Sequence, residues 1–159
     1  MKQLITPAEV IAIAFGSTNA LREESIPAVT ILAAQQRLVR PVVGERLYEM
    51  FTAEEPEEPC RTFVEAYLKA PLALYVASLV LPQLAVQVGS AGVVRFSGEG
   101  FEAADEGSLR RAARRLRKDA EALMDAATDR LAREPLLAEH YSPEENVRTR
   151  VTLAGGIVL

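Results

Sequence analysis

The chain has 159 residues, of which 49% are hydrophobic and 25% are charged, as in an ordinary globular protein with room for a substantial core. The net charge of −4 excludes nucleic-acid binding through the bulk charge of the chain. A single cysteine, Cys60, excludes an internal disulfide framework and indicates a reducing compartment. The N-terminus lacks the apolar core of a secretion signal, so we expect one unsecreted domain over residues 1–159.

The first helix is predicted over residues 6–15. Thr6 can cap it, Pro7 suits the first helical position, and Glu9 is placed to complete a capping box. A second helix is predicted over 27–39 from the helical spacing of its apolar residues. We expect Pro41 to stop or kink it, because proline lacks a backbone donor.

After Gly44 a short helix is predicted from Glu45 to about Phe51. An exposed acidic loop follows over 54–59, and a third long helix is expected over 61–87. No charged residue occurs between Lys69 and Arg95, so this stretch suits a monomer core, a buried subunit interface or a membrane span. Its proline and glutamines disfavour the membrane span.

Five glycines over 89–107 predict a long loop or a loose hairpin. The clearest helix is predicted over 108–134, with Pro135 ending it. Ser142 begins a second capping-box pattern and a short turn or helix. Residues 147–159 are expected to form a strand or an extended C-terminal arm. The fold class is therefore all-α: a small helical bundle with a glycine-rich loop or hairpin and an arm.

The sequence offers little that could catalyse a reaction. His140 is the only histidine, no nucleophile motif accompanies it, and we expect an ordinary surface or hinge residue. Cys60 is expected to be an exposed or half-buried thiol, and one cysteine with one histidine cannot form a structural zinc site. We therefore predict no enzyme, no catalytic residue, no metal and no cofactor.

Charge is segregated along the chain. Residues 1–60 have a net charge of −4, whereas residues 108–134 have a net charge of +3. The basic residues of 108–118 suit a solvated face, contact with phosphate, or contact with an acidic protein surface. The acidic front of the same chain favours the last, through head-to-tail pairing of identical subunits. The predicted interface residues are Arg110, Arg111, Arg114 and Arg115 with Glu54, Glu55, Glu57 and Glu58.

Four blocks of packing and turn residues occur in order along the chain. They are Ile5-Thr6-Pro7-Ala8-Glu9-Val10, Arg40-Pro41-Val42-Val43-Gly44 with Leu47-Tyr48, Tyr67-Leu68-Lys69-Ala70-Pro71-Leu72-Ala73-Leu74-Tyr75, and Asn146 with Gly155-Gly156-Ile157-Val158. Through them the chain resembles the head–tail connector (adaptor) proteins of tailed phages, of the kind encoded in prophages of gut Bacteroidetes. The 89–107 segment and the long arm depart from the shorter connectors.

The resemblance implies a small helical, non-enzymatic protein that forms a homo-oligomeric ring beneath the portal and around the DNA channel. It implies portal and other head–tail proteins as partners, DNA only through the channel or weakly, and no membrane. The location would be the virion, and the bacterial host cytoplasm during assembly. The alternative from residues alone is a bacterial regulatory or DNA-binding module that uses the basic helix, and a weaker third is a small hydrolase with unrecognised chemistry.

Overall fold

The computed structural model describes residues 2–16, 21–84, 86–89, 92–95 and 106–148. Within them the chain forms helices and one β-hairpin. The helices are α1 (Pro7–Ala14), α2 (28–43), α3 (Glu45–Phe51), α4 (Glu58–Leu84), α5 (Glu106–Leu131) and α6 (Pro135–Ala138); the strands are β1 (Val86–Gly89) and β2 (Gly92–Arg95). Short 3₁₀ turns occupy Glu23–Ser25 and Pro143–Glu145.

The predicted all-α class is confirmed in its coarse form, because the described chain is mostly helical. The strands pair antiparallel, with Val86 opposite Arg95 and Gly89 opposite Gly92. The third predicted helix is therefore wrong at its end, since it was expected to reach residue 87. Most of the predicted 89–107 loop and residues 149–159 of the predicted arm lie outside the described residues.

The predicted capping box of α1 is confirmed. The Thr6 side chain accepts a hydrogen bond from the Glu9 N–H, and the Glu9 carboxylate accepts one from the Thr6 N–H at 2.8 Å. The second predicted box is wrong: Ser142 precedes a 3₁₀ turn, but its side chain makes no capping hydrogen bond. The carboxylate that should complete it, that of Glu145, lies against Gly44 instead.

Prolines interrupt two helices without ending them. Pro41 was expected to stop or kink α2; it does not stop the helix, because α2 continues to Val43. A proline ring clashes with the carbonyl four residues earlier and cannot donate to it. A π-helical turn, Gln35–Val39, precedes Pro41, and another, Val64–Leu68, precedes Pro71 in α4. The wider turn interrupts the regular hydrogen-bond ladder just before each proline, so the helix can continue past it.

Helix α4 forms the centre of the core. It begins at Glu58 rather than Arg61, with Pro59 in its first turn, where the missing N–H has no cost. Eight residues between 71 and 80 are buried: Pro71, Leu72, Ala73, Tyr75, Val76, Ala77, Ser78 and Val80. Helices α1, α2 and α5 pack around this segment. The burial supports the core-helix interpretation for residues 71–80 of the uncharged stretch.

By length and composition alone, α4 could also cross a membrane. In its most apolar window 56% of the residues are buried inside the structure, as in the core helix of a globular domain. We therefore expect the chain to be recovered in the supernatant of a high-speed spin without detergent, and its main chromatographic peak to be unchanged when mild detergent is added. Recovery of the folded chain only from the membrane fraction would contradict the core interpretation.

Helix α5 lies antiparallel to α4. The Arg117 guanidinium lies 5.5 Å from the centre of the Tyr75 ring, and the Arg130 guanidinium lies 5.9 Å from that of Tyr67. The buried residues of α5 are Ala120, Met124, Ala127, Thr128 and Leu131, so its first half extends along the core edge without a buried residue. Helix α5 ends three residues earlier than predicted, and Pro135 begins α6, which the sequence analysis missed.

Buried Gln35 joins the N-terminal segment to α2 and α3. Its Oε1 accepts a hydrogen bond from the Leu4 N–H at 2.8 Å, and its Nε2 donates to the Lys2 carbonyl at 3.2 Å and to the Tyr48 hydroxyl at 3.3 Å. The amide oxygen thus accepts one hydrogen bond and the amide nitrogen donates two, so the buried polar group is satisfied.

Gly44 makes the turn between α2 and α3 in a single residue. Its φ of 83° and ψ of 166° lie in a region that is essentially restricted to glycine. The Val147 N–H donates to the carbonyl of Pro41 at 3.1 Å, so the last described residues pack against this junction.

Gly44→Ala should therefore lower the free energy of unfolding by about 1–3 kcal/mol through backbone strain. Urea unfolding followed by circular dichroism measures the loss. The control is Gly107→Ala inside α5, where alanine has the higher helix propensity and the stability should be unchanged or slightly higher. Equal losses for the two variants would contradict the conformational argument.

Candidate assembly interface

The single histidine, expected to be an ordinary surface or hinge residue, is less exposed than a surface position implies. The His140 side chain is only 19% exposed; its Nε2 lies 3.2 Å from Glu139 Oε1, and its Nδ1 is buried without a hydrogen-bond partner in the described structure. Among the described residues no group of three or more histidine, cysteine or acidic side chains could hold a metal ion. His140 thus has no nucleophile or ligand set around it in that part of the chain.

Cys60 is buried, which corrects the expectation of an exposed or half-buried thiol. It lies in the first turns of α4, where its side chain joins the core. Burial, and then the negative charge of Glu57, raises the pKa of the thiol. Because the thiolate is the reactive form, this environment suits an inert structural cysteine rather than a nucleophile.

A cluster of opposite charges ties α1 to α4. The Lys69 ammonium lies 2.5 Å from Glu9 and 2.5 Å from Glu65, and its side chain is largely buried. Burial alone would lower the pKa of Lys69, but the hydrogen bonds from the ammonium to Glu65 and Glu9 raise it overall. Burial alone would raise the pKa of Glu9, but Lys69 and Thr6 lower it overall.

A cavity of about 230 Å³ opens beside this cluster, under the N-terminal segment. Lys69 in its wall is already paired with two carboxylates, so this lysine is not a free cation for a ligand. We interpret the cluster as structural. The sequence predicts a capping role for Glu9 and contains Lys69 in one of the family blocks. Only the packing of α1 on α4 brings the two side chains together.

The four predicted interface arginines lie together on the first half of α5, and all are exposed. Arg110 pairs with Glu106, and Arg111 donates to the Ser108 hydroxyl at 2.8 Å. Arg114, Arg115 and the neighbouring Lys118 have no ion-pair partner among the residues that the structure describes. At about 100° per residue these five cations form one exposed face, which adjoins the buried stripe of α5 at Arg110 and turns away from it at the other four.

The four predicted interface glutamates lie in the turn before α4 and at its first residue, and all are exposed. Glu58 pairs with Arg61 at 3.2 Å within the first helical turn. The side chains of Glu54, Glu55 and Glu57 have no ion-pair partner in the described part of the chain. We call these four residues the acidic turn, and Arg110, Arg111, Arg114, Arg115 and Lys118 the basic face.

The structure does not bring the two charged surfaces together. Because α5 is antiparallel to α4 and Arg117 lies over Tyr75, the basic face lies beyond Tyr75, toward the end of α4. The acidic turn lies at the start of α4, seventeen residues before Tyr75. At 1.5 Å per residue this separation is about 25 Å. It exceeds the Debye length of about 8 Å at physiological salt, so the surfaces do not neutralise each other within one chain.

The outward face of α5 changes sign halfway along the helix. Glu121, Asp125 and Asp129 fall on the same side as the basic face but in the second half of the helix. Asp125 accepts two hydrogen bonds from Arg148, at 2.5 and 2.9 Å, and this pair raises the pKa of the Arg148 guanidinium. The positive surface of α5 is thus a short patch at one end of the molecule.

Comparison with known proteins places the chain in a family. Residues 39–149 match the model described as "Family of unknown function (DUF6712)". The chain belongs to the DUF6712 family. The matched region contains Gly44, the acidic turn and the basic face of this DUF6712 protein, whereas α1 lies before it. No curated protein and no solved structure matches the chain.

The Lys69 cluster predicts a specific pH dependence of stability. Glu9→Gln retains a capping amide oxygen but removes the charge that pairs with Lys69. Because the pKa of Glu9 in the folded protein lies below the ordinary value of a glutamate, the carboxylate stabilises the fold above that ordinary value and loses this contribution as the pH falls through the folded-state pKa. Wild type should therefore exceed Glu9→Gln in stability at pH 7, and the difference should shrink below about pH 4.5.

Urea unfolding at pH 7, 5, 4 and 3.5 tests this expectation. Glu144→Gln is the matched control, because it removes an exposed carboxylate that has no ion pair among the described residues. A difference between wild type and Glu9→Gln that stays constant across the series would contradict the ionic role of Glu9.

Proposed function

We propose that this protein is a non-enzymatic assembly subunit: a head–tail connector of a tailed-phage particle, whose copies join head-to-tail in a ring beneath the portal. One observation supports this function best. Two exposed surfaces of opposite charge, each with side chains that have no ion-pair partner among the described residues, lie at opposite ends of the α4–α5 pair, about 25 Å apart.

Charges in this arrangement can pair with charges on another molecule more readily than with charges on the same chain. When one end of a subunit binds the other end of the next, the contact is heterologous, and repetition closes into a ring if the rotation permits. A single exposed ion pair contributes only about 0–1 kcal/mol. Several pairs at each interface set the choice of partner and the register more than the affinity.

The remaining parts of the proposal come from the resemblance to connectors. The further partners are the portal and other head–tail proteins, and DNA meets the ring only through its channel or weakly. The protein acts in the virion after assembly in the host cytoplasm. No membrane and no cofactor takes part in this function.

Nucleic-acid binding by the basic face is the competing function, and Arg114, Arg115 and Lys118 would supply its phosphate contacts. From Arg110 to Lys118 the basic face is only about 12 Å long. Beyond it lie Glu121 and Asp125, which pair with Arg117 and Arg148, and then Asp129, so the basic face does not continue along the helix. An acidic protein surface of limited size fits this patch better than a duplex does.

The charged contact is tested by reversing the four arginines Arg110, Arg111, Arg114 and Arg115 to glutamate. Self-association should weaken by at least tenfold while the monomer stays folded, because like charges then face each other across the interface. Reversing Glu54, Glu55, Glu57 and Glu58 to lysine in the same chain should restore part of the affinity. Sedimentation and native mass spectrometry at several salt concentrations measure both effects.

The matched control reverses four other exposed arginines, Arg22, Arg37, Arg46 and Arg133, and so changes the net charge by the same amount. This variant should assemble like wild type. A variant of the basic face that assembles normally but loses binding to duplex DNA would overturn the proposal in favour of the nucleic-acid function. A wild-type chain that neither self-associates nor binds portal protein would also overturn it.

A further inference from the structure

An apolar groove lies beside the acidic turn, between the first turns of α4 and α6. Pro59, Phe63, Tyr67 and Leu136 line its apolar part, and its volume is about 250 Å³. The Phe63 and Tyr67 rings lie 5.1 Å apart, and Leu136 is 61% exposed. Phe63 is buried, but Tyr67 and Leu136 are both partly exposed, so the groove presents an apolar surface formed mainly by these two side chains.

Glu58 belongs both to the rim of this groove and to the acidic turn, so the two features form one continuous surface. The carboxylate of Glu134 lies on the opposite rim. Protein interfaces generally obtain their affinity from a few apolar or aromatic anchors, which a charged rim surrounds. The apolar side chains of the groove suit the centre of such an interface, and the acidic turn suits its charged rim.

The complementary surface lies at the other end of the same chain. Leu84, the last residue of α4, is 38% exposed. Arg117 lies over Tyr75, and nine residues further along α4 is Leu84, while nine residues back along the antiparallel α5 is Ser108. Leu84 is therefore level with the first turns of α5, where Arg110 and Arg114 begin the basic face.

We propose that the groove receives this end of a second copy of the chain, with Leu84 against Tyr67 and Leu136, and with Arg110 and Arg114 toward the acidic turn. This inference rests on the proposed head-to-tail assembly and specifies where its apolar contact lies. A second copy is the occupant because it presents both properties that the groove requires: an exposed apolar side chain and flanking positive charges.

Leu136→Ser tests the groove without altering the buried core, because Leu136 is exposed. The dissociation constant for self-association should rise about tenfold, as expected for loss of most of one leucine from an interface. The rise should persist at high salt, whereas the effect of the arginine reversals should fall as salt screens the charges. The matched control is Val29→Ser on α2, where another apolar side chain is 70% exposed, and it should assemble like wild type.

Cross-linking tests the partner surface directly. Leu84→Cys and Leu136→Cys chains, mixed and treated with a short bismaleimide, should form cross-linked dimers, whereas each chain alone should not, since native Cys60 is buried. Leu84→Cys mixed with Val29→Cys is the control and should stay uncross-linked.

The failures of the two proposals are distinguishable. If the arginine reversals weaken assembly but Leu136→Ser behaves like Val29→Ser and the cross-link does not form, the groove inference alone is overturned. If the wild-type chain remains monomeric at every concentration, the groove inference fails together with the head-to-tail assembly on which it rests.

Discussion

The fold depends on the need to cover α4. A helix that is apolar on nearly every side is stable in water only when other elements surround it. Here α1, α2 and α5 pack on the segment between Pro71 and Val80, and most of its side chains lose contact with solvent. Burial of apolar surface at about 25 cal/mol per Å² makes this contact the main favourable term for the domain. The capping box, the Gln35 hydrogen bonds and the Lys69 cluster then fix how the surrounding elements sit.

Proline placement follows from the same constraint. A core helix that stopped at each proline would leave backbone donors and acceptors unpaired within the core, at a cost of about 1–3 kcal/mol for each buried group. The π-helical turns before Pro41 and Pro71 keep α2 and α4 continuous, so that each presents one long surface to its neighbours. Gly44 allows an abrupt change of direction where α2 does end.

The distribution of charge follows from the core. With the apolar faces of α4 and α5 turned toward each other, the arginines of the basic face are exposed, and the antiparallel arrangement places them at the end opposite the acidic turn. The chain therefore has two charged ends, and an apolar groove accompanies the acidic one. This polarity gives the molecule a direction, which is what a subunit that repeats head-to-tail requires.

Features that depend on neighbouring residues can be predicted from the amino-acid sequence. The capping box of α1, the helix with the basic face, the acidic turn and the mostly helical class all follow from local spacing, propensity and charge. Features that depend on contacts between distant residues follow from the packing of the helices, and local patterns do not predict them. In the folded chain α2 and α4 continue past their prolines, and Lys69 pairs with Glu9. Packing also buries Cys60 and most of the His140 side chain. The antiparallel packing of α4 and α5 also sets the distance between the charged surfaces. The order of charges along the chain does not give this distance, because it does not specify which helix ends meet. The start of α6 at Pro135 shows the same limit, since a proline marks the first turn of a helix as readily as the end of the one before it.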